Sequence, residues 1–245
     1  MQGAMNGPIY AGGTLVIMVR WDRQIAAELI RRYEITRWRS ISTMAIDLVN
    51  DPNIASYDLS SLKAIGGGGA AMPAPVAYRL KEITGLDYLE GYGLSETMAA
   101  THLNPPDAPR AQCLGIPVFG VKSCVWSPES RKRLAPNEVG EILISGPQIF
   151  LGYWKQPKAT KEAFVMLEGI KYFRTGDIGY VDDDGFFYMV DRLKRMINAS
   201  GFKVWPAEVE AIMHAHRLHH AKQEKENCEY FGMLFVPLSI FKSLK

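Results

Sequence analysis

The sequence predicts a mixed α/β protein in three parts: a partial parallel α/β subdomain, an antiparallel β-barrel-like subdomain, and the start of a small α+β C-terminal domain. Three observations carry this. Between residues 14 and 90, apolar runs alternate with helical spacing, the rhythm of parallel strands joined by helices. After about residue 105, prolines and glycines cut the chain into short β-type runs. A helical pattern with Pro206 in its first turn then appears near the end. The parts are expected to be residues 1–105, 106–190 and 191–245.

Taken in order, residues 14–19 (TLVIMV) form a continuous apolar run, the pattern of a strand buried on both faces. Residues 22–33 carry helical spacing, with Ile25, Leu29 and Tyr33 on one side and Asp22 placed as the cap. Residues 41–50 predict a second helix, stopped by Asp51-Pro52. A strand at 62–65, a glycine turn at 66–69, a helix near 73–84 and a strand near 86–90 complete the first part. In the second part, strands are expected at 121–126, 139–145 and 186–190, separated by Gly140, Gly146 and Gly152. Asp184-Gly185 between apolar residues signals a hairpin. The last thirty residues are irregular and carry no readable motif.

Composition narrows the function. Hydrophobic residues make up 47% and charged residues 22%, which is the balance of a folded globular chain. Lys and Arg number 28 against 26 Asp and Glu, so no clustered basic surface marks a nucleic-acid partner. Cys113, Cys124 and Cys228 are odd in number and lack CxxC spacing, which argues against a disulfide framework and for a reducing, cytoplasmic setting. The longest apolar stretch, 231–241, is interrupted by Pro237 and too short to cross a bilayer, and no leader peptide is visible, so no transmembrane segment is expected.

Four segments carry chemistry. Gly66-Gly67-Gly68-Gly69-Ala70-Ala71 lies between a strand and a helix, where glycines admit a ligand to the backbone and the helix N-terminus favours negative charge. It also fits G-x-G-x-x-A, with Asp87 about twenty residues on, the pattern of dinucleotide-binding oxidoreductases; a plain strand–helix turn fits equally well. Tyr92-Gly93-Leu94-Ser95-Glu96-Thr97 follows a strand. An aromatic there can stack on a base, a hydroxyl can bond a phosphate oxygen, and a carboxylate can hold Mg²⁺; alternatively Ser95 simply caps a helix. In Arg174-Thr175-Gly176-Asp177 a carboxylate beyond a tight glycine turn can accept both hydroxyls of a ribose. Asp191-Arg192-Leu193-Lys194-Arg195, then Ser200-Gly201-Phe202-Lys203, reads as a charged connector, or as a solvated charge run. His216 and His220 stand at i, i+4 and could share a metal, although no acidic or cysteine ligand accompanies them.

In order and spacing these segments, together with Gly140-Glu141-Ile142 and Gly152-Tyr153-Trp154, resemble the adenylate-forming superfamily, and the run from about Gly66 to Pro117 looks most like bacterial long-chain fatty-acid–CoA ligases. The resemblance covers about residues 10–214. It implies that Gly67, Gly68, Gly69 and Ala70 line an adenine site, that Tyr92 stacks on the base beside Gly93, and that Ser95 contacts the α-phosphate of ATP. It implies Glu96 as the Mg²⁺ ligand, Asp177 and Arg192 at the ribose of ATP or AMP, Lys194 at a hinge, and Gly201 near the path of CoA. The implied reaction joins a fatty acid to CoA through an acyl-adenylate, releasing pyrophosphate and then AMP.

Three departures qualify that implication. The family's Ser/Thr- and Gly-rich loop with its phosphate-gripping lysine has no counterpart in the sequence, nor does the Gly-Lys pair near the family's C-terminus. Ser42 stands where a proline is expected in the acyl-pocket segment 37–43. The chain is therefore expected to be a piece of an acyl-CoA synthetase, inactive alone, with the N-terminal half encoded separately. The alternatives are a non-catalytic nucleotide- or acyl-binding module or a degenerate remnant, and a dinucleotide-binding oxidoreductase.

Overall fold

The computed structural model describes residues 2–192 and the short strands at 197–199 and 202–204. The chain divides into two compact units, Met1–Met196 and Ile197–Lys245. In the first, α1 (Gly7–Tyr10), α2 (Arg23–Arg32), β1 (Arg37–Ser40), α3 (Ser42–Val49), β2 (Ala64–Gly68), α4 (Ala74–Thr84) and β3 (Tyr88–Tyr92) precede β4 (His102–Leu103) and β5 (Ile116–Pro117). Strands β1, β2 and β3 pair in parallel, and β4 and β5 extend the same sheet antiparallel. The predicted alternation of strand and helix is thus present, with β1 as its first strand.

Local chemistry explains the helices. The Asp22 carboxylate accepts from the backbone N–H groups of Gln24 and Ile25 at 2.9 and 3.0 Å, the cap expected for α2. The buried face of α2 is Ala26, Ala27 and Ile30, whereas Ile25 and Tyr33 are exposed. The predicted stripe is therefore rotated towards Ala26, Ala27 and Ile30, the side of α2 whose Ala27 and Ile30 enter the core beside α3. Ile30 joins Ala45 and Leu48 of α3, Leu80 of α4 and Ile65 of β2 in the main core. Ser42 is the first residue of α3, a position that a proline would also satisfy.

Two expectations fail here. Residues 14–19 form no strand, and Ile17 and Val19 are exposed, since an apolar run becomes a strand only where a neighbour completes its ladder. The expected turn at 66–69 begins only at Gly69, where φ is +96°; Gly66, Gly67 and Gly68 belong to β2. A Cβ on Gly67 would lie 1.7 Å from the Ser40 carbonyl oxygen of β1, so the neighbouring strand already requires glycine at that place.

The second sheet is antiparallel and barrel-like. It comprises β6 (Lys122–Ser127), β7 (Lys132–Arg133), β8 (Gly140–Ser145), β9 (Phe164–Leu167), β10 (Ile170–Val181) and β11 (Phe187–Arg192), with the short helix α5 (Pro157–Glu162) before β9. The order is β11-β10-β8-β6-β7, and β9 pairs with the first part of β10. The hairpin signal at Asp184-Gly185 holds, since Gly185 takes φ +86° between β10 and β11. Arg174–Asp177, read as a turn, instead lies inside β10 as a bulge. The ladder to β8 shifts register between Arg174 and Ile178, and Gly176 takes φ +71°.

In the second unit β12 (Ile197–Ala199) and β13 (Phe202–Val204) form a hairpin. Lys194, Gly201, the helix expected from Pro206 and the His216/His220 pair lie outside the described residues. No described helix is long and apolar enough to cross a membrane.

Candidate functional site

The three parallel strands all end at one cleft: β1 at Ser40, β2 at Gly68 and β3 at Tyr92. Carboxyl ends of parallel strands are where open α/β sheets take ligands, because the backbone there turns away and leaves a crevice. The cleft measures about 470 Å³ and is lined by Gly67, Gly68, Gly69, Tyr92 and Gly93 together with Ile41 and Met44. Five of the predicted adenine-site residues are therefore brought together. Ala70 is exposed and lies outside the lining. Asp87, the acid of the dinucleotide pattern, instead pairs with Lys81 at 2.8 Å on the surface.

Tyr92 links this cleft to the second sheet. Its hydroxyl donates to Asp177 Oδ2 at 2.5 Å, and Arg192 Nε donates to Oδ1 at 2.9 Å. Asp177 is 1% exposed, whereas the Arg192 side chain is 58% exposed. Burial holds the Asp177 carboxyl above its ordinary range, opposed by the bonds from Tyr92 and Arg192. Burial, and then the Asp177 charge, push the Tyr92 phenol far up, so the proton stays on tyrosine and Tyr92 remains the donor.

The bulge in β10 is built to present Asp177. Glu141 of β8 is buried and accepts from Arg174 Nη2 at 2.8 Å through Oε2, and from the Gly176 N–H at 3.1 Å through Oε1. The Thr175 hydroxyl donates to the Ile142 carbonyl at 2.7 Å and accepts from the Asp177 N–H at 3.0 Å. Every residue of Arg-Thr-Gly-Asp thus has a bond or a dihedral that the bulge requires.

Ser95 and Glu96 sit in a single 3₁₀ turn, Ser95–Thr97, outside the cleft lining. Ser95 is exposed and does not cap; the Thr97 hydroxyl accepts from the Leu94 N–H at 2.9 Å instead. Glu96 Oε1 accepts from the Tyr153 hydroxyl at 3.0 Å, and its carbonyl accepts from the Phe150 N–H at 2.8 Å. The segment around Gly152-Tyr153-Trp154 therefore braces the Glu96 turn. No group of three metal-ligating side chains occurs among the described residues.

Sequence reading missed Glu90. It sits on β3 between Tyr88 and Tyr92, buried, and accepts from the Met72 N–H at 3.4 Å and the Gln112 N–H at 3.0 Å. It thereby ties the chain beyond the glycine strand to the loop before β5. A carboxylate on the buried face of an otherwise apolar strand was the available signal. Burial pushes its carboxyl up to about 7, against the two backbone donors. The folded state consequently holds a proton on Glu90 that the unfolded chain has released, and stability contributed by that group falls as pH rises from about 4.5 to about 7. Glu90→Gln is expected to remove this fall, at most about 3 kcal/mol. Urea unfolding at pH 5 and pH 8 checks it: wild type and variant must differ in their pH dependence.

The sequence profile of AMP-binding enzymes matches residues 1–154. A long-chain-fatty-acid–CoA ligase of Bacillus subtilis is 35% identical over 219 residues, spanning 88% of this chain and 38% of that one. Its namesake in Salmonella typhimurium is 37% identical over 188 residues, spanning 76% and 33%. ATP-bound MatB from Rhodopseudomonas palustris superposes with a TM-score of 0.80 at 29% identity, over 87% of this chain and 41% of that one. O-succinylbenzoate coenzyme A synthetase (MenE) of Bacillus subtilis, in complex with ATP and magnesium ion, gives 0.76 at 27% identity, over 87% and 43%. The chain thus spans well under half the length of each.

Proposed function

Because the chain belongs to the AMP-binding enzyme family, we propose that its first unit supplies the adenosine-binding part of an adenylate-forming acyl-CoA ligase site. In that reaction a fatty-acid carboxylate attacks the α-phosphate of ATP, giving acyl-AMP and pyrophosphate. The CoA sulfur then attacks the acyl carbon and AMP leaves.

The observation that carries this reading is the Tyr92–Asp177 hydrogen bond at the edge of the glycine-lined cleft. It puts a flat aromatic and a buried acid side by side, as a base and its ribose require. Gly67, Gly68 and Gly69 would face the adenine, with Ala70 at the rim, and Tyr92 and Gly93 would close the site. Asp177 would accept the ribose hydroxyls. A ribose reaches it by displacing Arg192, the solvent-exposed partner, while the buried Tyr92 bond persists. Ser95 would bond the α-phosphate. The residues fit Mg²⁺ in type, since Glu96 commits one oxygen to Tyr153 and keeps carboxylate lone pairs for a cation; when bound, the cation would neutralise phosphate charge. Lys194 as hinge and Gly201 beside CoA complete the assignment. The setting would be cytoplasmic.

The lysine loop and the C-terminal Gly-Lys pair supply charge to the reacting phosphates, and losing even one such donor typically costs about 10²–10³ in rate. The chain alone is therefore expected to bind AMP and ATP–Mg²⁺ in a calorimetric titration without steady pyrophosphate release. Steady turnover with a fatty acid would overturn the second half of this reading. Absence of AMP binding by the folded chain would overturn the first and leave a remnant without ligand.

A further inference from the structure

A buried histidine stands beside Tyr92, and neither the motifs nor the reaction account for it. His102 of β4 lies directly across the ladder from Tyr92 of β3 and is fully buried. Its ring packs 5.6 Å from the Tyr92 ring and 4.7 Å from the Phe187 ring, centroid to centroid. Phe187 opens β11, the strand that ends at Arg192. His102 thus fills the space between the cleft-lining tyrosine and the hairpin that carries Asp177 and Arg192.

Its hydrogen bonds identify its protonation. Nδ1 lies 3.0 Å from the Thr101 hydroxyl oxygen. That hydroxyl also faces the Tyr92 carbonyl at 3.3 Å, and the Thr101 N–H donates to the same carbonyl at 2.7 Å. Nε2 has no hydrogen-bond partner among the described residues. A hydroxyl has one proton to give. If Thr101 donates to Tyr92, its oxygen accepts from Nδ1–H, and Nε2 is left with only a lone pair in an apolar setting. The opposite tautomer would bury an N–H without an acceptor, which folded proteins rarely tolerate.

We infer that His102 is a positioning residue for the nucleobase: as the neutral Nδ1–H tautomer it fixes the Tyr92 ring from inside the core and the Tyr92 main chain through Thr101. This rests on the reading of Tyr92 as the base-stacking side chain. Burial alone pulls the imidazole down to about 3, with no charged group contributing, so the ring stays neutral at working pH. A small error in the Tyr92 plane moves the stacking surface, while Asp177 and the glycines keep their places.

The test combines spectroscopy with two variants of the full chain. ¹⁵N NMR of the wild type is expected to show His102 as the Nδ1–H tautomer, unchanged from pH 8 to pH 5. An Nε2–H tautomer, or an imidazolium at pH 6, overturns the inference whether or not any variant folds. AMP affinity is then measured calorimetrically for His102→Leu and His102→Asn, well below each variant's melting temperature. His102→Leu is expected to weaken AMP about tenfold, and His102→Asn, whose amide N–H can still reach Thr101, to recover to within about threefold. A purely structural histidine would lower the melting temperature in both variants and leave AMP affinity unchanged, which overturns the inference alone. Failure of the folded wild type to bind AMP would instead remove the reading of Tyr92, and this inference with it.

Discussion

Asp177→Ala is expected to weaken AMP binding about 100-fold or more, with only a modest loss of stability. The two effects separate because of what surrounds the carboxylate. Asp177 is the buried acid to which the Tyr92 hydroxyl donates, and two charge-assisted bonds to a ribose diol are together enough for that loss. Its cationic partner, by contrast, is already more than half exposed, so Arg192 regains water when the acid is removed. The Tyr92 hydroxyl is left as a buried orphan, which sets the modest stability cost. Asp177→Asn keeps one acceptor and should fall about tenfold. Calorimetric titration with AMP, run beside thermal melts of each variant, decides this. Unchanged affinity in Asp177→Ala would remove Asp177 from the site.

The second large effect should come from a residue that touches no ligand. Glu141→Ala is expected to destabilise the chain by about 3 kcal/mol, or roughly 6–12 °C in melting temperature, because it strands both Arg174 and the Gly176 N–H. Glu141 is 1% exposed and Arg174 32%, so the arginine recovers part of its hydration and the loss lies at the lower end for a buried pair. Glu141→Gln retains a carbonyl for the Gly176 N–H and should cost less. Urea midpoints measure both. Since the bulge that aims Asp177 depends on Glu141, AMP affinity should drop in Glu141→Ala even where the protein is fully folded. A destabilised variant with wild-type affinity would show that the bulge keeps its shape without Glu141.

What could be read from the sequence was local. Asp22 as a cap, Asp184-Gly185 as a hairpin, and the helices 23–32, 42–49 and 74–84 follow from propensity and spacing over a few residues. The cleft-lining Gly67–Gly69, Tyr92 and Gly93, and the Asp177 that Tyr92 bonds, stand out in the sequence because they sit in short dense motifs, although Tyr92 and Asp177 are 85 residues apart and nothing local pairs them. Illegible were features set by distant neighbours. The run at 14–19 looked like a strand, but no ladder accepts it. Gly67 looked like a turn glycine, but it answers the Ser40 carbonyl of another strand. Arg174–Asp177 looked like a turn because a left-handed glycine marks both turns and bulges, and only the partner strand tells them apart. Glu90, His102 and Tyr153 act through contacts across the fold that no window along the chain displays.

The seam between the two sheets has a consequence for ancestry. Tyr92 meets Asp177 across it, Gly115 bridges to Phe187, and Arg110 grips Asp182 and Asp184 while its guanidinium lies over the Phe186 ring. A recombination event that carried either sheet into another gene would separate Tyr92 from Asp177. Shuffling is therefore expected to preserve the stretch from β1 to β11 whole or to lose the Tyr92–Asp177 pair at once.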